Sequence, residues 1–134
     1  MKKTELLELY ITNYVAPILI ESMEEIDLKN GVEIEGDCDV TNLQGHFNES
    51  GEYQIPYWLK ILIENSDKKR TLLIIKNITD IEEDDQMKFY EIMKYRKLNT
   101  IQIPDNCVII ATCGNLKEKP INQNIYPLMA HIKL

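Results

Sequence analysis

Cysteine and long apolar runs are scarce in this chain. It has three cysteines, Cys38, Cys107 and Cys113. An odd number without a signal sequence argues against a disulfide framework and favours a reducing compartment. Glu5 and Glu8 interrupt the N-terminal segment, which therefore lacks the apolar core of a signal peptide. The longest apolar runs are about six residues, whereas a membrane-spanning helix needs ~20. We therefore expect a cytoplasmic protein that does not contact a membrane.

Basic residues are also in short supply. The chain has 15 Lys and Arg against 22 Asp and Glu, which gives a net charge of −7 with neutral histidines. Such a surface repels phosphate backbones and anionic lipids. We expect no nucleic-acid partner.

Segments rich in glycine, proline or serine that could separate domains are absent. The 134 residues include only five glycines and five prolines, with 44% hydrophobic and 28% charged residues. This length and composition are typical of one globular domain. We predict a single domain over 1–134, with an N-terminal helical segment over 1–26 and a core over 32–134.

The remaining pattern alternates helices with buried strands. Apolar residues from Leu6 to Met23 recur at helical spacing and predict a helix over 3–26, which Pro17 breaks or kinks. Further helices are predicted over 57–64 and about 80–98. Strands are predicted over 32–36, 71–78, 107–112 and 130–134. The order predicts an α/β fold, a three-layer sandwich with a mostly parallel sheet of about four strands.

Several segments in the second half follow a familiar order. These are LLIIKN (72–77), a helix opened by Gln86, IPDNCVIIATCGN (103–115) and IYPLMAHIKL (125–134). Together they resemble the second half of an AAA+ ATPase domain, from the Walker B strand to the last core strand. DVTNLQGHF (39–47) also resembles the piece that follows the second strand of that family. The resemblance implies a cut-down P-loop NTPase core over residues 32–134.

The phosphate-binding parts of that family do not have a match. The family needs a GxxxxGK[ST] loop, whose backbone N–H groups cradle phosphates. The five glycines lie at 31, 36, 45, 51 and 114, and none belongs to such a loop. The family's first strand has no recognisable counterpart. Lys3-Thr4 stands where the motif's Lys-Thr would fall if the chain began midway through the loop. We interpret this two-residue agreement as a remnant of the motif or a coincidence.

The residues that would hold metal and orient water are replaced as well. Lys76 and Asn77 occupy the degenerate Walker B positions, where the family has Asp and Glu. A lysine cannot coordinate Mg²⁺, and an asparagine cannot act as a general base. Asn115 occupies the sensor-1 position, although an asparagine there can also cap the turn after a strand. The arginine that the family has just before the last strand is not evident either, since Met129, Ala130 and His131 stand there.

Other clusters have weaker signals. The spacing of Cys38, His46, Cys107, Cys113 and His131 lacks the tight cysteine pair of a structural zinc site, so we expect no metal. The run from Asp80 to Asp85 is typical of a solvated helix start. The basic groups at 68–70 and 94–97 are a turn and a helix end, or a small positive face.

Three aromatic residues form a candidate interface: Tyr53, Tyr57 and Trp58. Aromatic side chains often anchor protein contacts. The alternative for Trp58 is a place in the core.

The resemblance and its missing parts imply a non-catalytic AAA+-like module that regulates or inhibits a partner protein. The expected partner is an intact AAA+ protein or a second copy of this chain, and no nucleotide or other cofactor is expected. The alternative is a fragment of a split ATPase whose phosphate loop comes from a partner chain. Because the family's first strand lies between the sensor-1 strand and the last strand, we expect 130–134 to pair directly with 107–112.

Overall fold

The computed structural model describes residues 3–13, 16–28 and 31–134. The helices are α1 (Lys3–Asn13), α2 (Val40–Gln44), α3 (Tyr57–Glu64) and α4 (Tyr90–Tyr95), with 3₁₀ turns at Ile78–Asp80, Asp85–Phe89 and Tyr126–Leu128. The strands are β1 (Ile18–Glu21), β2 (Gly31–Glu35), β3 (His46–Phe47), β4 (Tyr53–Gln54), β5 (Thr71–Lys76), β6 (Lys97–Leu98), β7 (Ile101–Gln102), β8 (Cys107–Cys113) and β9 (Ala130–Lys133).

Five strands form one parallel sheet in the order β2-β5-β8-β1-β9. Short antiparallel hairpins, β3-β4 and β6-β7, lie outside it. Helices cover both faces of the sheet, which confirms the α/β sandwich with a mostly parallel sheet. The sheet has five strands rather than about four.

The additional strand lies in the segment predicted as one helix over 3–26, and that prediction is wrong. Helix α1 ends at Asn13, and Ile18–Glu21 is a strand whose four side chains are all buried. Residues 1, 2, 14, 15, 29 and 30 lie outside the described part of the chain. Pro17 separates the two elements, because proline removes a backbone donor and clashes with the preceding turn of a helix. Its carbonyl instead accepts a hydrogen bond from the Ala130 N–H at 2.8 Å.

Strand β1 is an interior strand of the sheet, between β8 and the edge strand β9. Leu19 is in register with Ala111 on one side and with His131 on the other. The expected direct pairing of 130–134 with 107–112 is therefore wrong, because this chain supplies the intervening strand itself. Lys3-Thr4 opens α1, upstream of β1, and so cannot be part of a loop that follows the first strand.

The two faces of the sheet carry separate cores. On one face, α1 places Leu7 and Ile11 against Ile18, Ile20 and neighbouring strand residues. On the other face, α3, α4 and the 3₁₀ turns pack against the sheet. This larger core contains Trp58, Leu59, Leu62, Leu73, Ile75, Phe89, Ile92 and Ile109.

Capping side chains shape the segment 38–53, which contains α2 and the β3-β4 hairpin. Asp39 Oδ1 accepts a hydrogen bond from the Asn42 N–H at 2.7 Å and so begins α2. Asn48 Oδ1 accepts from the N–H groups of Ser50 and Glu52 at 3.0 and 2.9 Å, which closes the β3-β4 hairpin. The helix predicted over about 80–98 is a 3₁₀ turn followed by α4, which ends where Arg96 adopts a left-handed φ of 54°.

The interior position of β1 can be tested with Leu19→Ala. Leu19 is fully buried, so its truncation should lower the free energy of unfolding by about 2–5 kcal/mol. Met23→Ala is the control, because Met23 is 76% exposed and should change stability by less than about 0.5 kcal/mol. Urea denaturation measures both. Similar small losses in the two variants would contradict the position of β1.

Candidate functional site

A cleft of about 430 Å³ opens at the carboxyl ends of β1, β5 and β8. In open parallel sheets, ligands bind outside the carboxyl ends of the strands. The cleft is therefore the first place to look for a site. It brings together the three sequence-predicted positions Lys76, Asn77 and Asn115.

The connection from β1 to β2 forms one wall of the cleft. Nine residues separate Glu21 from Gly31, whereas a crossover that includes a helix needs at least about 10–12. The described part, 22–28, contains no helix. Ile26 and Leu28 pack against the core beneath α1, so the connection runs across that face of the sheet.

Lys76 is tied to this connection by ion pairs. Its Nζ lies 2.9 Å from Glu25 Oε1 and 3.7 Å from Glu33 Oε2. The hydrogen bond from Lys76 lowers the pKa of Glu25. The same bond, followed by the charge of Glu33, raises the pKa of Lys76. Both partners are thus charged near neutral pH, and the ammonium group of Lys76 is held against acidic side chains.

Asn77 lies in the turn after β5, and Asn115 lies in the turn after β8. Asn77 has a left-handed φ of 57°, and its N–H donates to Thr112 Oγ1 at 3.1 Å. Asn115 Oδ1 accepts from the Lys117 N–H at 2.9 Å. Asn115 therefore caps the turn after β8, as in the alternative considered for it, and the sensor-1 role stays a prediction.

Acidic side chains dominate the carboxyl end of the sheet. The loops 22–28, 36–39, 77–85 and 114–120 follow β1, β2, β5 and β8 and contain two lysines, at 117 and 119. Lys119 Nζ is paired with Asp80 Oδ1 at 3.1 Å. The acidic residues of these loops are Glu24, Glu25, Asp27, Asp37, Asp39, Asp80, Glu82, Glu83, Asp84, Asp85 and Glu118. The negative potential at this end disfavours phosphate groups.

Glu21, the last residue of β1, anchors a network that the sequence reasoning missed. It is only 7% exposed. Its Oε2 accepts from the Leu116 N–H at 3.0 Å, and its Oε1 lies 2.9 Å from His131 Nε2. His131 Nδ1 in turn lies 2.8 Å from the Tyr126 hydroxyl. The Leu116 N–H is the main reason why the pKa of Glu21 is lowered, with His131 and Lys133 adding to the effect.

The cysteines lie apart from one another in the fold. Cys107 and Cys113 are buried at the two ends of β8, and Cys38 lies half-buried near α2. Burial, together with the charge of Glu21, raises the pKa of Cys113 to about 12. Within 3–13, 16–28 and 31–134, no group of three or more His, Cys, Asp or Glu side chains could hold a metal ion.

The aromatic candidates divide between surface and core. Trp58 is 4% exposed, and its indole N–H donates to the Leu43 carbonyl at 2.8 Å. It is a core residue, so its assignment to an interface is corrected to the core alternative. Tyr57, in contrast, is 76% exposed.

We call Phe47 and Tyr53 of the β3-β4 hairpin, together with Tyr57 at the start of α3, the hairpin surface. Phe47 is 71% exposed, and its ring centroid lies 5.6 Å from that of Tyr53. The Tyr53 hydroxyl donates to the Gln44 carbonyl and accepts from Asn99 Nδ2 at 3.2 Å. These bonds fix an aromatic group that exposes apolar area to solvent.

Solved structures share this fold at low sequence identity. NtrX from Brucella abortus matches with a TM-score of 0.59 and 10% identity, over 97% of this chain and 35% of its own. A DNA polymerase III gamma subunit-related protein from Thermotoga maritima matches with a TM-score of 0.54 and 12% identity, over 99% of this chain and 46% of its own. The present chain thus spans less than half the length of either neighbour.

No family model and no curated protein sequence matches the chain. The structural neighbours and the sheet order agree on an α/β fold with a parallel five-stranded sheet. Among the described helices, none has both the length and the apolar character needed to cross a bilayer.

The Glu21 network predicts a pH-dependent loss of stability. A carboxylate whose pKa is lowered in the folded state contributes stability above its unfolded pKa and loses it as the pH falls through the folded pKa. Glu21→Gln should therefore lower the free energy of unfolding by about 1–3 kcal/mol at pH 7. The gap between wild type and variant should narrow in acid, because the wild-type side chain is then protonated.

Urea denaturation from neutral to acidic pH measures this gap. Glu49→Gln is the matched control. Glu49 is exposed, so this substitution removes the same charge without breaking the Glu21 network. A gap for Glu21→Gln that stays constant as the pH falls would contradict the assignment.

Proposed function

We propose that this chain is a non-catalytic AAA+-like module that acts through protein contacts and regulates or inhibits a partner protein. One observation carries the proposal: Lys76 points its ammonium group into the cleft and pairs there with Glu25. In a nucleotide-hydrolysing site of this fold, the end of that strand must supply acids for Mg²⁺ and water. A lysine held by acidic neighbours supplies neither.

The short connection after β1 gives independent support. A phosphate loop takes about eight residues and leads into a helix, whose N-terminal N–H groups bind the phosphates. Nine residues lead from β1 to β2 here, and those of 22–28 turn toward the sheet face instead. A triphosphate would also enter the field of the acidic loops at the carboxyl end of the sheet.

The hairpin surface supports the protein-contact part of the proposal. Exposed aromatic side chains on a rigid support cost little conformational entropy on binding and often provide the main binding energy. Phe47 and Tyr57 have this character, since both are more than two-thirds exposed. We assign the contact with a partner protein to this surface.

A split ATPase is the second candidate. The cleft at the carboxyl ends of β1, β5 and β8 favours it, because this is where a nucleotide would bind in such a fold. A partner would have to insert its own glycine-rich loop and displace Glu25 from Lys76. We regard the non-catalytic module as the better supported function for this reason.

Calorimetry with ATP and Mg²⁺ tests the nucleotide part. We expect no saturable ATP binding by the wild type. We also expect no ATP turnover by Lys76→Asp combined with Asn77→Glu, because the chain still lacks a phosphate loop when these acids are introduced. The double variant must first be shown to fold by circular dichroism. A dissociation constant in the low micromolar range, or turnover by the purified double variant, would refute the proposal and favour the split enzyme.

Co-purification from the source cells tests the protein-contact part. Proteins that co-purify with wild type should be lost when Phe47→Ala is combined with Tyr57→Ala. They should be retained with the control variant Tyr95→Ala, because Tyr95 is an aromatic residue outside the hairpin surface that is 56% exposed. The free energy of unfolding of every variant should lie within about 0.5 kcal/mol of the wild-type value, because the substituted side chains are at the surface. Equal recovery with the double variant would exclude the hairpin surface as the contact.

A further inference from the structure

A second, larger groove lies at the opposite, amino end of the sheet. It has a volume of about 1440 Å³, whereas small-molecule sites measure about 300–1,000 Å³. It lies between α1, the turn before β5 and the start of β8. Residues of that turn and of neighbouring loops line it: Lys68, Lys69, Arg70, Arg96, Asp105 and Asn106. Its size suits a segment of a macromolecule better than a metabolite.

Two arginines that are distant in sequence, Arg70 and Arg96, both line this groove. Arg96 Nη2 donates to the carbonyls of Pro104 and Cys107 at 3.0 and 2.7 Å. Arg70 Nη2 lies 2.8 Å from Glu8 Oε2 on α1. Both guanidinium groups are thus held in place before any ligand arrives.

Lys68 and Lys69 supply positive charge that is available to a ligand of the groove. Both are exposed and form no ion pair within the described part of the chain. On its floor, Thr71 Oγ1 and Asn106 Oδ1 are buried without a hydrogen-bond partner among the described residues. We call Lys68, Lys69, Arg70 and Arg96 the basic groove.

The opposite end of the molecule carries an unpaired acidic segment: Glu82, Glu83, Asp84 and Asp85. All four residues are exposed, and none forms an ion pair within the described ranges. The backbone of this acidic segment is fixed. Asn122 Nδ2 donates to the Glu83 carbonyl at 2.8 Å, and Gln86 Nε2 donates to the carbonyls of Ile81 and Pro120 at 3.3 and 3.1 Å.

We propose that the acidic segment of one copy docks in the basic groove of a second copy. The groove precedes β5 and β8, and the segment follows β5, so the two features lie at opposite ends of the same parallel strands. Two copies placed in line along the strand direction bring them into contact. Such a heterologous contact leaves one groove and one segment free, so the assembly can extend.

A second copy fits the groove better than a nucleic acid does. The net charge of −7 opposes a polyanion, whose binding scales with the number of phosphates neutralised. The groove itself also contains Glu8 and Asp105. A compact segment of four carboxylates engages only the local cations, because charges beyond about 8 Å are screened at physiological salt. The inference goes beyond the proposed function and does not depend on nucleotide binding.

Sedimentation equilibrium of the full chain tests the proposal. The weight-average mass of wild type should rise with concentration at physiological salt, where repulsion between the two net charges is screened, and fall as more salt is added. A groove variant, Lys68→Gln with Lys69→Gln, and a segment variant, Glu82→Gln with Glu83→Gln, should each associate about two- to thirtyfold more weakly, since each loses up to two exposed ion pairs. Mixing the two variants should restore a 1:1 dimer, because one keeps the segment and the other keeps the groove.

Glu49→Gln with Glu52→Gln is the matched control for the segment variant. It removes the same two negative charges at the β3-β4 turn, so it reduces overall repulsion equally and should leave association intact. Circular dichroism and urea denaturation confirm that each variant folds.

The proposal is overturned if wild type stays monomeric at physiological salt and millimolar concentration. It is equally overturned if the mixed variants form no dimer or the control loses association as the segment variant does. Binding of a short oligonucleotide by wild type but not by the groove variant, without self-association, would assign the groove to nucleic acid instead.

Discussion

The burial of β1 between two parallel neighbours is the constraint on which the rest of the structure depends. A central strand must pair its backbone on both edges and bury side chains on both faces. Ile18, Leu19 and Ile20 satisfy this demand, and β1 pairs with β8 and β9 over its whole length. The strand then ends on Glu21, whose carboxylate is buried and needs partners. Leu116 and His131 supply them, so the loop after β8 and the edge strand β9 are both fastened to the end of β1.

The short connection after β1 decides the chemistry of the cleft. The chain must travel from the carboxyl end of β1 to the amino end of β2, across β8 and β5, in nine residues. A crossover that includes a helix needs at least about 10–12 residues, so nine residues allow only a direct path. Ile26 and Leu28 attach this chain to the sheet face. The same path brings Glu25 to Lys76, so a backbone constraint and an ion pair arise from one short connection.

Local patterns predicted some elements well and failed on others for identifiable reasons. The strands predicted over 71–78 and 107–112 correspond to β5 and β8, and the helix predicted over 57–64 is α3. Strand β1 was missed, since a short apolar run cannot be assigned to helix or strand by periodicity alone. Pro17 in front of that run was the available signal, because it excludes a helix interior. The contacts of Lys76 with Glu25 and of Glu21 with His131 join residues 51 and 110 positions apart, and no local pattern encodes them.

The electrical asymmetry of the molecule follows from the parallel sheet. All five strands point the same way, so every loop after a strand falls at one end and every turn before a strand falls at the other. Acidic residues are concentrated in the first set of loops, while Lys68, Lys69 and Arg70 stand in the turn before β5. In an antiparallel sheet the same segments would alternate between the ends and largely cancel. The charges therefore add along the strand axis. The negative charge falls at the carboxyl end of the strands, where parallel sheets bind ligands, so this end repels phosphate.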